Sequence, residues 1–438
     1  MPDVSFENLL IVFGVAVAVP LLLGGARRLR IPSVVLEIIV GVLIGPGFLG
    51  WVRIDLPVQI LAVFGLAFLL FLAGLEIDLG RLRGRVLRLA LFGYLITVLL
   101  GFAVGAAAAA AGWVRSPLLL AITLSATSLG LVVAVLKDAG RSDGAIGQLT
   151  IAAASVADFG AIVLLTLFFS TSGGSVGELA VLLILFAGLV GVAAMLLLRV
   201  RRSRRIGTVL ERLQDTTAEI RVRIAVLLMI ALVVLASRFG LETILGAFLA
   251  GALVGLVDRD ASSHPRFRAK LDAIGYGFLI PIFFVASGVR LDLGGLLANP
   301  PALALVPLFL AALLLVRGIP ALLWARSLRG RETVASALLQ ATSLPFIVTA
   351  TQIGTAAGLM SPVTAAALVC AGLLSVAVFP AVALVLLRRA TVIEPEPTPL
   401  VDRAGAPGRV TDRRGARTHL PKAVARPGIS SFRSRESP

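Results

Sequence analysis

Thirteen apolar stretches, most of them long enough to cross a lipid bilayer, punctuate this chain, and they exclude nearly every alternative fold. They run over residues 8–26, 32–50, 57–76, 89–113, 117–136, 145–170, 177–198, 224–238, 240–257, 271–289, 300–325, 332–354 and 361–387. Hydrocarbon supplies no partner for backbone N–H and C=O groups, so segments of this length and composition are expected to be helical. With 58% hydrophobic residues and a mean hydropathy of +1.01, the expectation is an all-α polytopic membrane protein of about thirteen transmembrane helices.

The formal net charge of +16 would suggest nucleic acid if its positions were ignored. Nine of the 40 basic residues follow residue 389, and nearly all the others lie between apolar stretches. Assigning alternate connections to one side collects 26 Lys and Arg there, including eight arginines between Arg199 and Arg223, against four on the other (Arg53, Arg115, Arg238 and Arg290). That bias is topological, so no nucleic-acid partner is expected, and it places the N-terminus outside a cell membrane and the C-terminus in the cytoplasm. Residues 1–389 read as one transmembrane domain, and residues 390–438, rich in Pro, Gly, Ser and Arg, as a disordered basic cytoplasmic tail.

An internal duplication organises the membrane part. Ala126-Thr127-Ser128-Leu129-Gly130 in the fifth stretch matches Ala341-Thr342-Ser343-Leu344-Pro345 in the twelfth. Gly74, Asp78 and Gly80 in the third match Gly288, Asp292 and Gly294 in the tenth, and Val40–Gly45 matches Ala250–Gly255. Residues 32–170 and 240–387 are therefore two repeats seven crossings apart. Seven is odd, so the copies are inverted, a design in which secondary transporters place their substrate near the midplane. Gly130 and Pro345 each follow a Thr-Ser pair as helix breakers, the proline being the stronger. Two interrupted helices would offer free backbone groups and the hydroxyls of Thr127, Ser128, Thr342 and Ser343.

Two ionisable residues break the symmetry. Asp158 is the lone charge in the stretch 145–170, and Arg317 lies deep in 300–325; their repeat-related positions hold Leu373 and Phe102. A charge at the centre of a bilayer costs roughly 2.5–3.5 kcal/mol on insertion scales, so each needs protein or water around it. Asp158 is the natural partner for Arg317, with a carbonyl at a broken helix as the alternative. Ser155, three residues before Asp158 and on the same helix face, is a further candidate ligand. Glu37, Glu76 and Glu242 lie near the ends of their helices and read equally well as interfacial acids or as gates. The only histidines, His264 and His419, lie in a loop and the tail, and the lone cysteine, Cys370, permits neither an internal disulfide nor a Cys metal cluster. No enzyme activity, cofactor or resident metal is expected.

Arg30-Ile31-Pro32 leading into Glu37–Pro46, Leu70–Glu76, the interrupted fifth stretch, the Asp158 helix, Pro281-Ile282-Phe283-Phe284 through Asp292, and Arg317 together resemble the monovalent cation/proton antiporter superfamily, on its Kef-type and sodium/proton antiporter branch. The resemblance covers about residues 8–388. It implies a core in which two broken helices cross beside the acid-bearing helix, a second domain mediating homodimerisation, and elevator-type alternating access. It also implies Asp158 as the central carboxylate, Thr127 and Ser128 as the polar centre of the first broken helix, and Arg317 as the deep basic residue. Ala157 departs from the pattern, since members that move net charge usually carry a second acid there.

The expected function is exchange of a monovalent cation, Na⁺ or K⁺, for protons, with Asp158 binding either in turn. One carboxylate and a permanently charged arginine suggest an electroneutral one-for-one exchange. Two other readings fit the same residues: a transport-incompetent scaffold or sensor whose basic loops bind anionic lipid, and an ion-coupled transporter of a small organic solute.

Overall fold

A computed structural model describes residues 6–25, 32–77, 82–169, 176–202, 219–257 and 265–391. The basic tail expected from residue 390 lies outside this range from residue 392 on, as do Asp78, Gly80, His264, and the middle of the connection between Arg199 and Arg223. The first half of the chain forms α1 (Glu7–Gly25), α2 (Ser33–Ile44), α3 (Leu56–Leu75), α4 (Gly84–Ala110), α5 (Pro117–Ser125), α6 (Leu129–Asp138), α7 (Ala145–Phe169) and α8 (Val176–Arg202). The second half forms α9 (Ile220–Arg238), α10 (Thr243–Val257), α11 (Pro265–Ile274), α12 (Ile280–Val289), α13 (Leu293–Leu297), α14 (Pro300–Leu303), α15 (Leu305–Gly318), α16 (Gly330–Gln340), α17 (Pro345–Ala356) and α18 (Pro362–Thr391).

Among the described residues, eleven helical spans are long and apolar enough to cross a membrane, and α2 and α10 are shorter apolar helices. These short helices are repeat-related, and together with the eleven they account for the thirteen apolar stretches. Proline and capping signals set several starts. Asp55 accepts from Val58 N at 3.1 Å to begin α3, and Ser116 accepts from Leu119 N at 3.2 Å to begin α5. The tenth span is longer than its apolar stretch suggests, because α11 continues through a π turn, Gly275–Leu279, into α12. The eleventh is not one helix: α14, α15 and a 3₁₀ segment, Ile319–Trp324, share it.

Packing divides the spans into two groups. In the first, α2 packs on α12, α3 on α10 and α12, and α9 on α10; in the second, α4 packs on α5 and α7, and α15 and α16 on α18. The first group displays the inverted symmetry directly. At the crossing of α2 and α12, Gly41 and Gly288 face each other, and a Cβ on either would run into backbone of the other helix. At the crossing of α3 and α10, Gly74 lies against the Phe248 carbonyl and Gly251 against that of Phe71. Gly41 corresponds to Gly251 and Gly74 to Gly288, so the two crossings are the same contact made twice. Small residues at such points let membrane helices approach closely enough for dispersion forces to hold them. The outward faces suit lipid: Leu10, Leu21 and Ile184 are each more than 70% exposed.

Candidate functional site

Both Thr-Ser motifs interrupt their spans as the sequence predicts. The fifth span breaks over Ala126–Ser128, just before Gly130, which is the second residue of α6; the twelfth breaks over Ala341–Leu344, and Pro345 opens α17. A break in hydrocarbon leaves backbone donors that need partners. At the fifth span three consecutive amides find them outside their own helix. Thr127 N donates to Asp158 Oδ1 at 3.1 Å, Ser128 N to the Thr342 carbonyl at 2.9 Å, and Leu129 N to Asp158 Oδ2 at 3.2 Å. The carboxylate thus holds the break open, and glycine's weakness as a breaker does not matter.

Asp158 sits in mid-α7, 9% exposed, with each carboxylate oxygen taking one amide and further lone pairs left over. Arg317 is 1% exposed and makes no ion pair with Asp158, contrary to the more direct of the two expected arrangements. Its Nε and Nη2 donate to Thr127 Oγ1 at 2.9 and 2.6 Å, its Nη1 to Thr97 Oγ1 at 3.2 Å, and its Nε also to the Gln340 carbonyl at 3.3 Å. The Thr127 hydroxyl in turn donates to that carbonyl at 2.7 Å. Its one proton and both lone pairs are therefore committed, which leaves the hydroxyl no capacity for a cation. The two charges meet opposite helix ends: Asp158 receives the first amide of α6, and Arg317 reaches the last carbonyl of α16. Each end carries a partial charge of the complementary sign.

A cavity of about 330 Å³ lies between the two packing groups. Asp158, Thr127, Ser128 and Gly130 line it from one group and Glu76 and Phe248 from the other, and Pro345 and Phe346 contribute from the second break. Ser33, Glu76, Ala134 and Tyr276 carry the cavity toward the ends of α2, α3, α6 and the π turn that feed the arginine-rich connections. The other predicted residues are placed elsewhere. Ser155 Oγ donates to the Ile151 carbonyl at 2.9 Å, and Thr342 Oγ1 to that of Leu338 at 3.0 Å. Ser343 N donates to Ser375 Oγ at 3.2 Å, while Ser343 Oγ is buried without a partner. None of these three lines the cavity.

Sequence reasoning missed Thr97 and the Gln340 carbonyl as holders of the guanidinium. A polar residue within an apolar stretch was the only signal for either. Glu76 was left undecided, and the structure puts it in the same cavity as Asp158.

The chain is 35% identical to a Na⁺/H⁺ antiporter named putative, YjbQ of Bacillus subtilis, over 81% of its own length and 58% of the relative's. It is 33% identical to a Na⁺/H⁺ antiporter of Enterococcus hirae, over 61% of this chain and 69% of that one. The solved sodium proton antiporter MjNhaP1 of Methanocaldococcus jannaschii shares the fold, with a TM-score of 0.57 at 19% identity, over 87% of this chain and 98% of that chain. The family model described as sodium/hydrogen exchanger, transmembrane, matches residues 14–389. With the paired helix breaks and the inverted crossings, that match makes this chain a member of the sodium/hydrogen exchanger family.

Proposed function

We propose that the protein exchanges a monovalent cation, Na⁺ or K⁺, for protons across a cell membrane, with Asp158 as the shared site. The observation that carries this is the Asp158 carboxylate hung on the amides of a broken helix and lining a cavity of about 330 Å³. Moving a bare carboxylate through low dielectric is costly, so the site crosses readily only when neutralised by a cation or a proton. Each occupant displaces the other, and exchange follows. Ser128, which lines the same cavity, is the side-chain hydroxyl available as a further ligand. Arg317 and Thr127 support the site: they fix the break without touching the cargo. The cavity separates a group containing α3, α10 and α12 from one containing α6, α7 and α17, so sliding one past the other is the motion that alternates access. With Ala157 beside it, Asp158 carries one charge, and the exchange is electroneutral.

Purified protein in liposomes loaded with a pH-sensitive dye, challenged with Na⁺, K⁺ and Li⁺ in turn, tests this. Cation-driven proton flux that vanishes in Asp158→Asn, with the variant still folded, is the expected result. Full flux in that variant removes the site assignment, and no flux from the parent with any cation favours the scaffold reading. A rate that responds to an imposed voltage overturns electroneutrality.

A further inference from the structure

Sliding one group of helices past the other breaks every directional contact between them. The seam holds apolar contacts that have no fixed direction, such as the stacked rings of Phe159 on α7 and Phe248 on α10, with centroids 6.0 Å apart. It also holds a hydrogen bond: Gln352 Nε2 on α17 donates to Ser287 Oγ on α12 at 3.3 Å. α12 packs on α2 and α3, and α17 on α5 and α18, so each partner is fixed to a different group.

The chemistry of the pair leaves one arrangement. The Ser287 hydroxyl commits its single proton to the Phe283 carbonyl at 2.7 Å, so it can only accept from across the seam. Of the two ends of the Gln352 amide, only the nitrogen can supply that proton. Ser287 is buried, Gln352 is half-buried, and neither lines the cavity beside Asp158. The pair lies toward the other end of the spans. α12 ends at Val289, just before Arg290, and α17 ends shortly before Gly358, whose carbonyl accepts from Arg115. Arg115 and Arg290 belong to the arginine-poor side, whereas the cavity extends toward the arginine-rich one.

The inverted repeat has no matching contact at its other end. The match of Ser128 with Ser343 puts Lys137 where the second copy has Gln352, and that of Gly74 with Gly288 puts Ala73 where it has Ser287. Alanine offers no side-chain acceptor, and Lys137 is exposed. Inverting the roles of the two halves therefore breaks the Gln352–Ser287 bond without making its equivalent.

We propose that Gln352 and Ser287 form a latch across the arginine-poor half of the seam, which favours the state seen here over its inverted mate and opens once in each transport cycle. This rests on the sliding motion proposed above. Water takes over the two groups when the latch opens, so the bias is modest. It amounts to about threefold in the ratio of the two states, the average for hydrogen-bonded side chains between membrane helices.

Thr349 is the repeat partner of Ala134, which lines the cavity, and is itself buried here, so a cysteine at this position reports the inverted state. Thr349→Cys is placed in a full-length Cys370→Ala background, in membrane vesicles of known orientation. Its reaction with a membrane-impermeant maleimide is timed from the arginine-poor side. Ser287→Ala and Gln352→Leu should each speed labelling about threefold, and the double variant should be no faster than either. Each single variant tests the bond by itself, so one that does not fold leaves the other. Thr355→Ala removes a hydroxyl on α17 that bonds only within its own helix, and should leave the rate unchanged. Unchanged labelling in the latch variants, a rise of about ninefold in the double variant, or an equal rise in Thr355→Ala overturns the latch. If Thr349→Cys reacts in no background while Ala134→Cys reacts from the arginine-rich side, the sliding motion itself fails and the latch with it.

Discussion

Arg317 is held by three groups, and the hold can be measured one bond at a time. Its Nη1 reaches Thr97 Oγ1 on α4 at 3.2 Å, while Nε and Nη2 share Thr127 Oγ1 at 2.9 and 2.6 Å. In Arg317→Lys a single ammonium replaces the planar fork, so it can serve Thr127 or Thr97 but not both. Hydrogen bonds to charged groups contribute about 1.5–3 kcal/mol in soluble proteins, but side-chain pairs between membrane helices average only about 0.6 kcal/mol, because partners are found before tertiary packing too. A charged donor with 1% exposure lies between those cases, which sets the Thr97 bond at about 1–2 kcal/mol. Thr97→Val should cost that much in the parent, plus whatever is lost with the Thr97 hydroxyl's own bond to the Gly93 carbonyl at 3.0 Å. The Gly93 contribution appears in both backgrounds and cancels in a double-mutant cycle. The expected coupling between Arg317→Lys and Thr97→Val is therefore about 1–2 kcal/mol, read from reversible SDS unfolding in mixed micelles. Costs that add, with Thr97→Val equally damaging beside lysine and beside arginine, would refute the bridged arrangement.

Gly251→Val drives a side chain into the Phe71 carbonyl, which cannot rotate away, and should cost more than about 3 kcal/mol or prevent folding; Gly14→Val, with open space around it, should be tolerated. Gel filtration after graded heating separates the two. Ser155→Ala removes only a bond back to Ile151, so cation half-saturation should stay within about twofold; a larger loss would make Ser155 a ligand. Glu332→Gln breaks the pair with Arg141 that ties the loop after α6 to the start of α16. Both partners keep contact with solvent, so the loss should be below about 1 kcal/mol and shrink further at high salt, as thermal unfolding in graded NaCl would show.

The spans and the inverted repeat were legible because both rest on composition and spacing, which survive without knowledge of contacts. The glycine motifs were legible for a further reason: Gly41 and Gly251 occupy crossings where backbone touches backbone, and no other residue fits. What sequence could not assign was the direction of each hydroxyl. Thr127 and Thr342 stand in the same four-residue motif, yet one braces a guanidinium and the other bonds back to Leu338. That difference originates in Arg317 and Asp158, neither of which is repeated, so no comparison of the two motifs could reveal it. Glu76 was ambiguous for the opposite reason. An acid at a helix end reads the same whether it meets headgroups or a cavity, and only packing against Gly130 decides.

The separation of Arg317 from Asp158 explains how one site can hold both. A direct pair would neutralise each charge, and an incoming cation would then have to break it, leaving a guanidinium stranded at 1% exposure. With Thr127 between them, the guanidinium is satisfied by a hydroxyl and a helix-end carbonyl whether or not the carboxylate is occupied. Asp158 is stabilised by amides that leave its remaining lone pairs facing the cavity. The partners of the arginine are thus the same whether or not the carboxylate is occupied, which, on the exchange proposed above, leaves Asp158 to respond to cation and proton. On this reasoning Thr127 matters more than any other hydroxyl of the two breaks: without it, the cheapest remaining partner for Arg317 is Asp158 itself.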